Sequence, residues 1–150
     1  MDFAVNVPLN SVSFGQVSMA WLREIQGRSL DPSIFPIGGQ VDLSSQEVDK
    51  PLQEWLQNCI NKSLSSHSRE TPIIKLWHLN GSLESFSEKQ VLFSFYEVDE
   101  PTQQEVNIAR NHTTVFSSKH TCDAFRVKGA ECHYVPLGFD NHNFKRTNKK

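Results

Sequence analysis

The chain has 150 residues, 37% of them apolar and 21% charged, with a net charge of −2. That is the length of one domain around a single core, and the balance excludes both a disordered charged tail and the one-signed surface of a nucleic-acid binder. No apolar run approaches the ~18 residues of a membrane-spanning helix and the start carries no basic n-region, so a protein without a transmembrane segment, located in the cytoplasm, is expected.

Residues 2–9 mix Phe3, Val5, Val7 and Leu9 with small side chains, which suits a first strand. Ser13 and Gln16 stand in capping-box register, and Val17, Ala20, Trp21 and Ile25 then recur at helical spacing up to a stop at Gly27. A second strand is expected over 33–37, broken by Gly38-Gly39. Residues 40–50 are polar and turn-forming. Asp49 followed by Pro51 then signals a helix start, and Leu52, Trp55, Leu56, Cys59 and Ile60 trace a one-sided helical stripe. Residues 62–71, rich in Ser, read as a loop or a frayed helix end.

The third strand is expected over 72–79, a polar connection over 80–89 with one helical turn, and the fourth strand over 91–96. Its near-continuous apolarity fits a central strand covered on both faces. Thr102 and Glu105 form the second capping-box signature and open a helix. The fifth strand falls at 113–116, Ser118 caps a helix that Gly129 ends, and the sixth strand is 132–135. Strands alternating with helical connections predict an α/β fold: a doubly wound, mainly parallel, Rossmann-like sheet of about six strands with helices on both faces.

Cys59, Cys122 and Cys132 are odd in number and lack CxxC spacing, so buried thiols rather than disulfides or a zinc site are expected. The N-x-S/T triplets at Asn61, Asn80 and Asn111 have no export signal beside them and read as chance. The first loop, 10–16, holds one glycine where a dinucleotide fingerprint wants three, which argues against a nicotinamide or flavin cofactor.

The segment TTVFSSKHTCDAFRVKGAECHYVPLGFDNHNF, residues 113–144, resembles the closing part of the N-terminal domain of GT-B glycosyltransferases of the group-1 type. In those enzymes a strand ending in serine leads into a helix. The next strand ends in a Val-Pro-Leu/Asn-Gly-Val-Asp motif followed by a Phe, just before the crossover to a second domain. Here Val135-Pro136-Leu137-Gly138-Phe139-Asp140 and Phe144 match it, with Phe139 in place of Val.

The resemblance implies a Rossmann-like acceptor-side lobe over 1–140 and a linker over 141–150 leading to a second lobe, with Lys145, Arg146, Lys149 and Lys150 solvated. The partners it implies are a nucleotide sugar as donor, a carbohydrate or other acceptor, and a C-terminal GT-B lobe or self-association. It implies anomeric retention with no metal and no cofactor. The donor lobe, which carries the family's paired-glutamate motif, is not part of this resemblance, so the chain alone is expected to be inactive: a fragment, a split subunit or a degenerate protein.

Ligands of such sheets sit beyond the carboxyl ends of the strands, which singles out the residues just after each one. Gly15 matches the family's glycine-containing first loop and allows close backbone approach, or else simply eases a helix start. His78 and Asn80 follow the third strand; a neutral imidazole there suits a sugar hydroxyl or base chemistry, although a packed His beside Trp77 is the bland alternative. Tyr96 stands where the family commonly has a His, and with a pKa of about 10 it is a poor base at neutral pH. Glu97, Asp99 and Glu100 crowd the next turn, suiting acid–base or hydroxyl-binding work, and equally favouring the following helix dipole. Ser118 and Lys119 offer a cap and a cation to an anionic or sugar ligand, and Gly138 with Asp140 forms the loop at the family's domain cleft. The candidate catalytic set is therefore Tyr96, Glu97 and His78, and the candidate binding set Gly15, Asn80, Asp99, Ser118, Lys119, Gly138 and Asp140. The rival reading is a noncatalytic Rossmann-like binding or interaction module, favoured by Tyr96 in the His position.

Overall fold

The computed structural model describes residues 2–145 and 147, so Arg146, Lys149 and Lys150 lie outside the described residues. Six strands form one all-parallel sheet: β1 (Ala4–Leu9), β2 (Ser33–Val41), β3 (Ile73–Leu76), β4 (Gln90–Ser94), β5 (Thr113–Phe116) and β6 (His133–Tyr134). Their order is β2-β1-β3-β4-β5-β6, which reverses direction at β1. Helices α1 (Ser13–Gly27), α2 (Lys50–Ser65), α3 (Gln103–Arg110) and α4 (Lys119–Val127) flank the sheet, and a 3-10 turn, Leu79–Leu83, links β3 to β4. This is the doubly wound, Rossmann-like α/β arrangement.

Successive residues of β4 show that both faces are covered. Phe93 meets Trp21 of α1 edge-on with ring centroids 5.0 Å apart, inside an apolar cluster that also holds Leu22, Ile34 and the α2 residues Leu52, Leu56 and Cys59. Its neighbour Leu92 points the other way, into a second cluster with Val106 and Ala109 of α3 and Cys122 and Phe125 of α4. All six residues of β1 are buried, as a strand at the centre of such a sandwich requires. The three cysteines are free and buried.

Local chemistry sets most element ends. The Asp49 carboxylate accepts the Leu52 amide at 2.9 Å with Pro51 in the first turn of α2. Thr102 and Glu105 complete the capping box of α3, Ser118 caps α4, and Gly129 takes a positive φ of 84° just beyond it.

Four expectations are corrected. Ser13 and Gln16 form no capping box: Asn10 takes the Val12 amide on its own side chain at 3.2 Å, the chain turns early, and the apolar Val12 becomes the cap residue. Gln16 instead bonds Ser11, Ser45 and Gln46. The Gly38-Gly39 pair bends β2 without ending it. Both glycines adopt positive φ, and the pairing with β1 jumps from Pro8–Ile37 to Leu9–Val41. Helix α2 continues as regular helix to Ser65, into the stretch expected to be a loop or a frayed helix end, where serine hydroxyls bond back onto carbonyls of the preceding turn. Strand β4 ends at Ser94, leaving Phe95 and Tyr96 past its end.

Edge strand β2 is the longest of the six and carries Pro36 and both glycines, whereas the opposite edge, β6, has two residues. No helix among the described residues is long and apolar enough to cross a membrane.

Candidate functional site

Because every strand is parallel, all six carboxyl ends share one edge. The order reverses at β1, so the chain leaves β1 and β3 in opposite lateral directions and their following loops part there. Phe14, from the first turn of α1, fills this parting. Its ring lies 4.7 Å from His78, 5.4 Å from Trp77 and 4.9 Å from Phe95. Gly15 is buried beside it, and a Cβ there would stand 2.0 Å from the Asn10 carbonyl oxygen. The glycine thus lets the β1 loop lie directly on the start of α1. His78 stays exposed at the rim of this aromatic group, followed by exposed Asn80 in the 3-10 turn.

A second group gathers after β4 and β5. The Tyr96 hydroxyl donates to Glu105 Oε2 at 2.8 Å, and the same oxygen receives the Thr102 amide at 2.7 Å and the Thr102 hydroxyl at 2.8 Å. The Tyr96 ring stands edge-on to Phe125 at 5.1 Å. Burial, with the hydrogen bond to Glu105 and its charge, pushes the phenol up to about 12. Burial also acts to raise the Glu105 carboxyl, but the Thr102 amide and the two hydroxyls outweigh it and hold it below its ordinary value. Tyr96 therefore anchors the start of α3 and is unsuited to take a proton at neutral pH.

Thr121 donates to the Tyr96 carbonyl at 3.4 Å, and His120 meets Asp99 at 3.3 Å, so the two loops are joined across the edge. Glu97 and Asp99 are exposed. Ser118 is occupied by the Thr121 amide at 3.3 Å and Lys119 by Asp123 at 2.6 Å, one helical turn on.

The phenol of Tyr96 provides a direct check. A group whose folded pKa is raised contributes stability that is complete below its unfolded value of about 10 and lost as pH climbs through the folded value. Ultraviolet titration should therefore show one tyrosine ionising at about 12 in step with loss of stability above pH 10. In Tyr96→Phe that step should vanish; its persistence would refute the Glu105 bond.

The exit loop is open. Gly138 has free space around it, and Phe139 and Phe144 are 70% and 64% exposed, their rings 6.1 Å apart. The Asp140 carboxylate receives the amides of His142 and Asn143 at 3.0 and 3.2 Å and the Asn143 side chain at 2.7 Å, closing a single turn. Burial raises the Asp140 carboxyl, but the Asn143 groups, the His142 amide and the charge of Arg23 together hold it below its ordinary value.

The expected site residues thus fall into three places: Gly15, His78 and Asn80 at the order reversal; Tyr96, Glu97, Asp99, Ser118 and Lys119 at the starts of α3 and α4; Gly138 and Asp140 on the exit loop. Phe14, Trp77, Phe95 and Arg23 were not foreseen as site residues. Two hollows lie away from the Phe14 site at the reversal. One hollow of 630 Å³ is lined by Arg23, Gln26, Val48, Leu52 and His142 among others, and one of 520 Å³ by Ser82, Gln90, Asn111 and His112 among others. Among the described residues no cluster of three or more His, Cys, Asp or Glu is placed to hold a metal ion. No known protein family, curated protein or solved structure matches this chain.

Proposed function

We propose that this chain is the acceptor-side lobe of a GT-B-type glycosyltransferase, holding an acceptor against a nucleotide sugar bound by a second lobe. In that reaction the bond from the anomeric carbon to the donor's phosphate breaks, a bond to an acceptor oxygen forms, and the acceptor's proton leaves. The observation that carries the reading is a coincidence of place. Gly15 with its close backbone approach and His78 stand where the order of a parallel sheet reverses, and the exposed 135–144 motif follows β6 at the same carboxyl edge.

Exposed His78, Asn80, Glu97 and Asp99 supply the hydroxyl-binding groups, and His78 and Glu97 are the groups free to handle a proton. Tyr96, committed to Glu105, is left a supporting role. That commitment also favours the second reading, a noncatalytic Rossmann-like binding module. A second lobe with the family's paired glutamates, encoded in the same transcript, decides for the enzyme.

The acceptor reading is tested on ¹⁵N-labelled chain titrated with a panel of mono- and oligosaccharides, and with UDP-, GDP- and ADP-sugars. Saccharides should move the amides of Gly15, His78, Asn80 and Glu97, while nucleotide sugars bind no tighter than about millimolar, roughly −4 kcal/mol. Micromolar affinity for a nucleotide sugar sinks the half-site reading, and silence to every saccharide sinks a carbohydrate-acceptor role.

A further inference from the structure

Lys75 lies in β3, a strand enclosed between β1 and β4, and is 4% exposed. Lysines are almost never buried that deeply without a partner. Among the described residues it forms no salt bridge, and its ammonium donates instead to two backbone oxygens, the carbonyls of Gly81 and Glu84. These belong to the 3-10 turn after β3 and to its cap. A short turn leaves its last carbonyls without partners of its own, and a cation set against them supplies the missing donors.

Two further contacts act on the same turn. Gln90 Nε2, from the start of β4, donates to the Ser82 carbonyl at 3.0 Å. Gly81 lies flush against the Trp77 indole, where a Cβ would stand 2.2 Å from Cδ1. The turn's own backbone bonds are sparse: the Gly81 amide donates to the His78 carbonyl at 3.0 Å and the Glu84 amide to the Gly81 carbonyl at 3.4 Å. His78 at the cap of the turn and Asn80 within it are exposed, while the carbonyls of Gly81, Ser82 and Glu84 are tied to side chains of β3 and β4. We propose that Lys75 is a positioning residue: its buried ammonium anchors the turn Leu79–Leu83 to the sheet and so fixes where His78 and Asn80 stand at the carboxyl edge. The use of that position by an acceptor rests on the reading proposed above; the anchor itself does not. An apolar side chain in β3 would avoid the desolvation of a charge but would leave two carbonyls of the turn without their donor.

The test compares the ¹⁵N-labelled whole chain with Lys75→Met, which keeps an unbranched stem and removes the ammonium donors. Exchange of the Gly81 and Glu84 amides should speed up by about tenfold more in the variant than exchange of the β1 and β4 amides, the scale of one hydrogen bond to a charged group. A saccharide that moves the His78 amide in the unmutated chain should bind the variant about tenfold more weakly for the same reason. An unchanged turn, or equal acceleration of turn and sheet, overturns the anchor. Unchanged saccharide affinity beside a loosened turn overturns the positioning of His78 and Asn80. Silence of the unmutated chain to every saccharide defeats the acceptor reading alone, because the exchange rates decide the anchor. If Lys75→Met does not fold, the ammonium of the unmutated chain gives the answer: its protons should exchange with water more slowly than those of the exposed lysines, and equal exchange overturns the anchor.

Discussion

Replacing Leu56 by Ala should lower the unfolding free energy by about 2–5 kcal/mol, the range for truncating a fully buried leucine. Leu56 is 3% exposed on the inner face of α2, in the cluster that also holds Leu52, Cys59, Ile34 and Leu22. The loss has two parts, the transfer of the deleted carbons and the cavity left between helix and sheet. Edge strand β2 is held on one side only, and α2 is what lies against it. A fall in urea midpoint at constant m-value reads the effect. A change below about 0.5 kcal/mol would mean that the stripe faces solvent.

Gly15→Ala should be the most damaging small change at the carboxyl edge. The new Cβ would lie 2.0 Å from the Asn10 carbonyl oxygen, 2.5 Å from its side-chain oxygen and 2.7 Å from its carbonyl carbon. Two of these are backbone atoms, so no rotamer change relieves the clash and the loop must lift off α1. Overpacking of this kind costs about 1–3 kcal/mol. It should also free the Val12 amide from Asn10 and shift Phe14 against His78, Trp77 and Phe95. Gly138→Ala is the control, since nothing lies within 4 Å of its Cβ. Equal melting temperatures for the two variants would contradict the close approach at Gly15.

Features decided within a few residues were legible in the sequence. The α2 stripe, the Asp49, Thr102 and Ser118 caps and the Gly129 stop each depend on one turn of chain, and each stands in the structure. Ser13 failed as a cap because Asn10, three residues earlier, competed for the same turn and won. Lys75 was passed over inside an apolar strand. It is buried, its ammonium donates to the carbonyls of Gly81 and Glu84, and burial pushes its pKa down. Those carbonyls belong to a 3-10 turn and its cap, whose path no local pattern discloses. The aromatic group at the reversal needs Phe14, Trp77 and Phe95 from three separate stretches of chain, and His142 of the exit loop lines one hollow with Arg23, more than a hundred residues earlier. Periodicity and capping signals act within a turn or two and carry no information at that range.

The long rim strand has a consequence for behaviour at high concentration. A nine-residue strand with one free edge is normally a template on which further chains add, the first step of fibril growth. Here Pro36 removes one amide from the ladder, and Gly38 and Gly39 twist the next stretch out of register. Because Ser33 donates its amide to Phe3 on the β1 side, Ile34 is the residue before the proline whose backbone groups face the free edge, while the opposite rim offers two residues. Both borders therefore offer an incoming strand little to pair with.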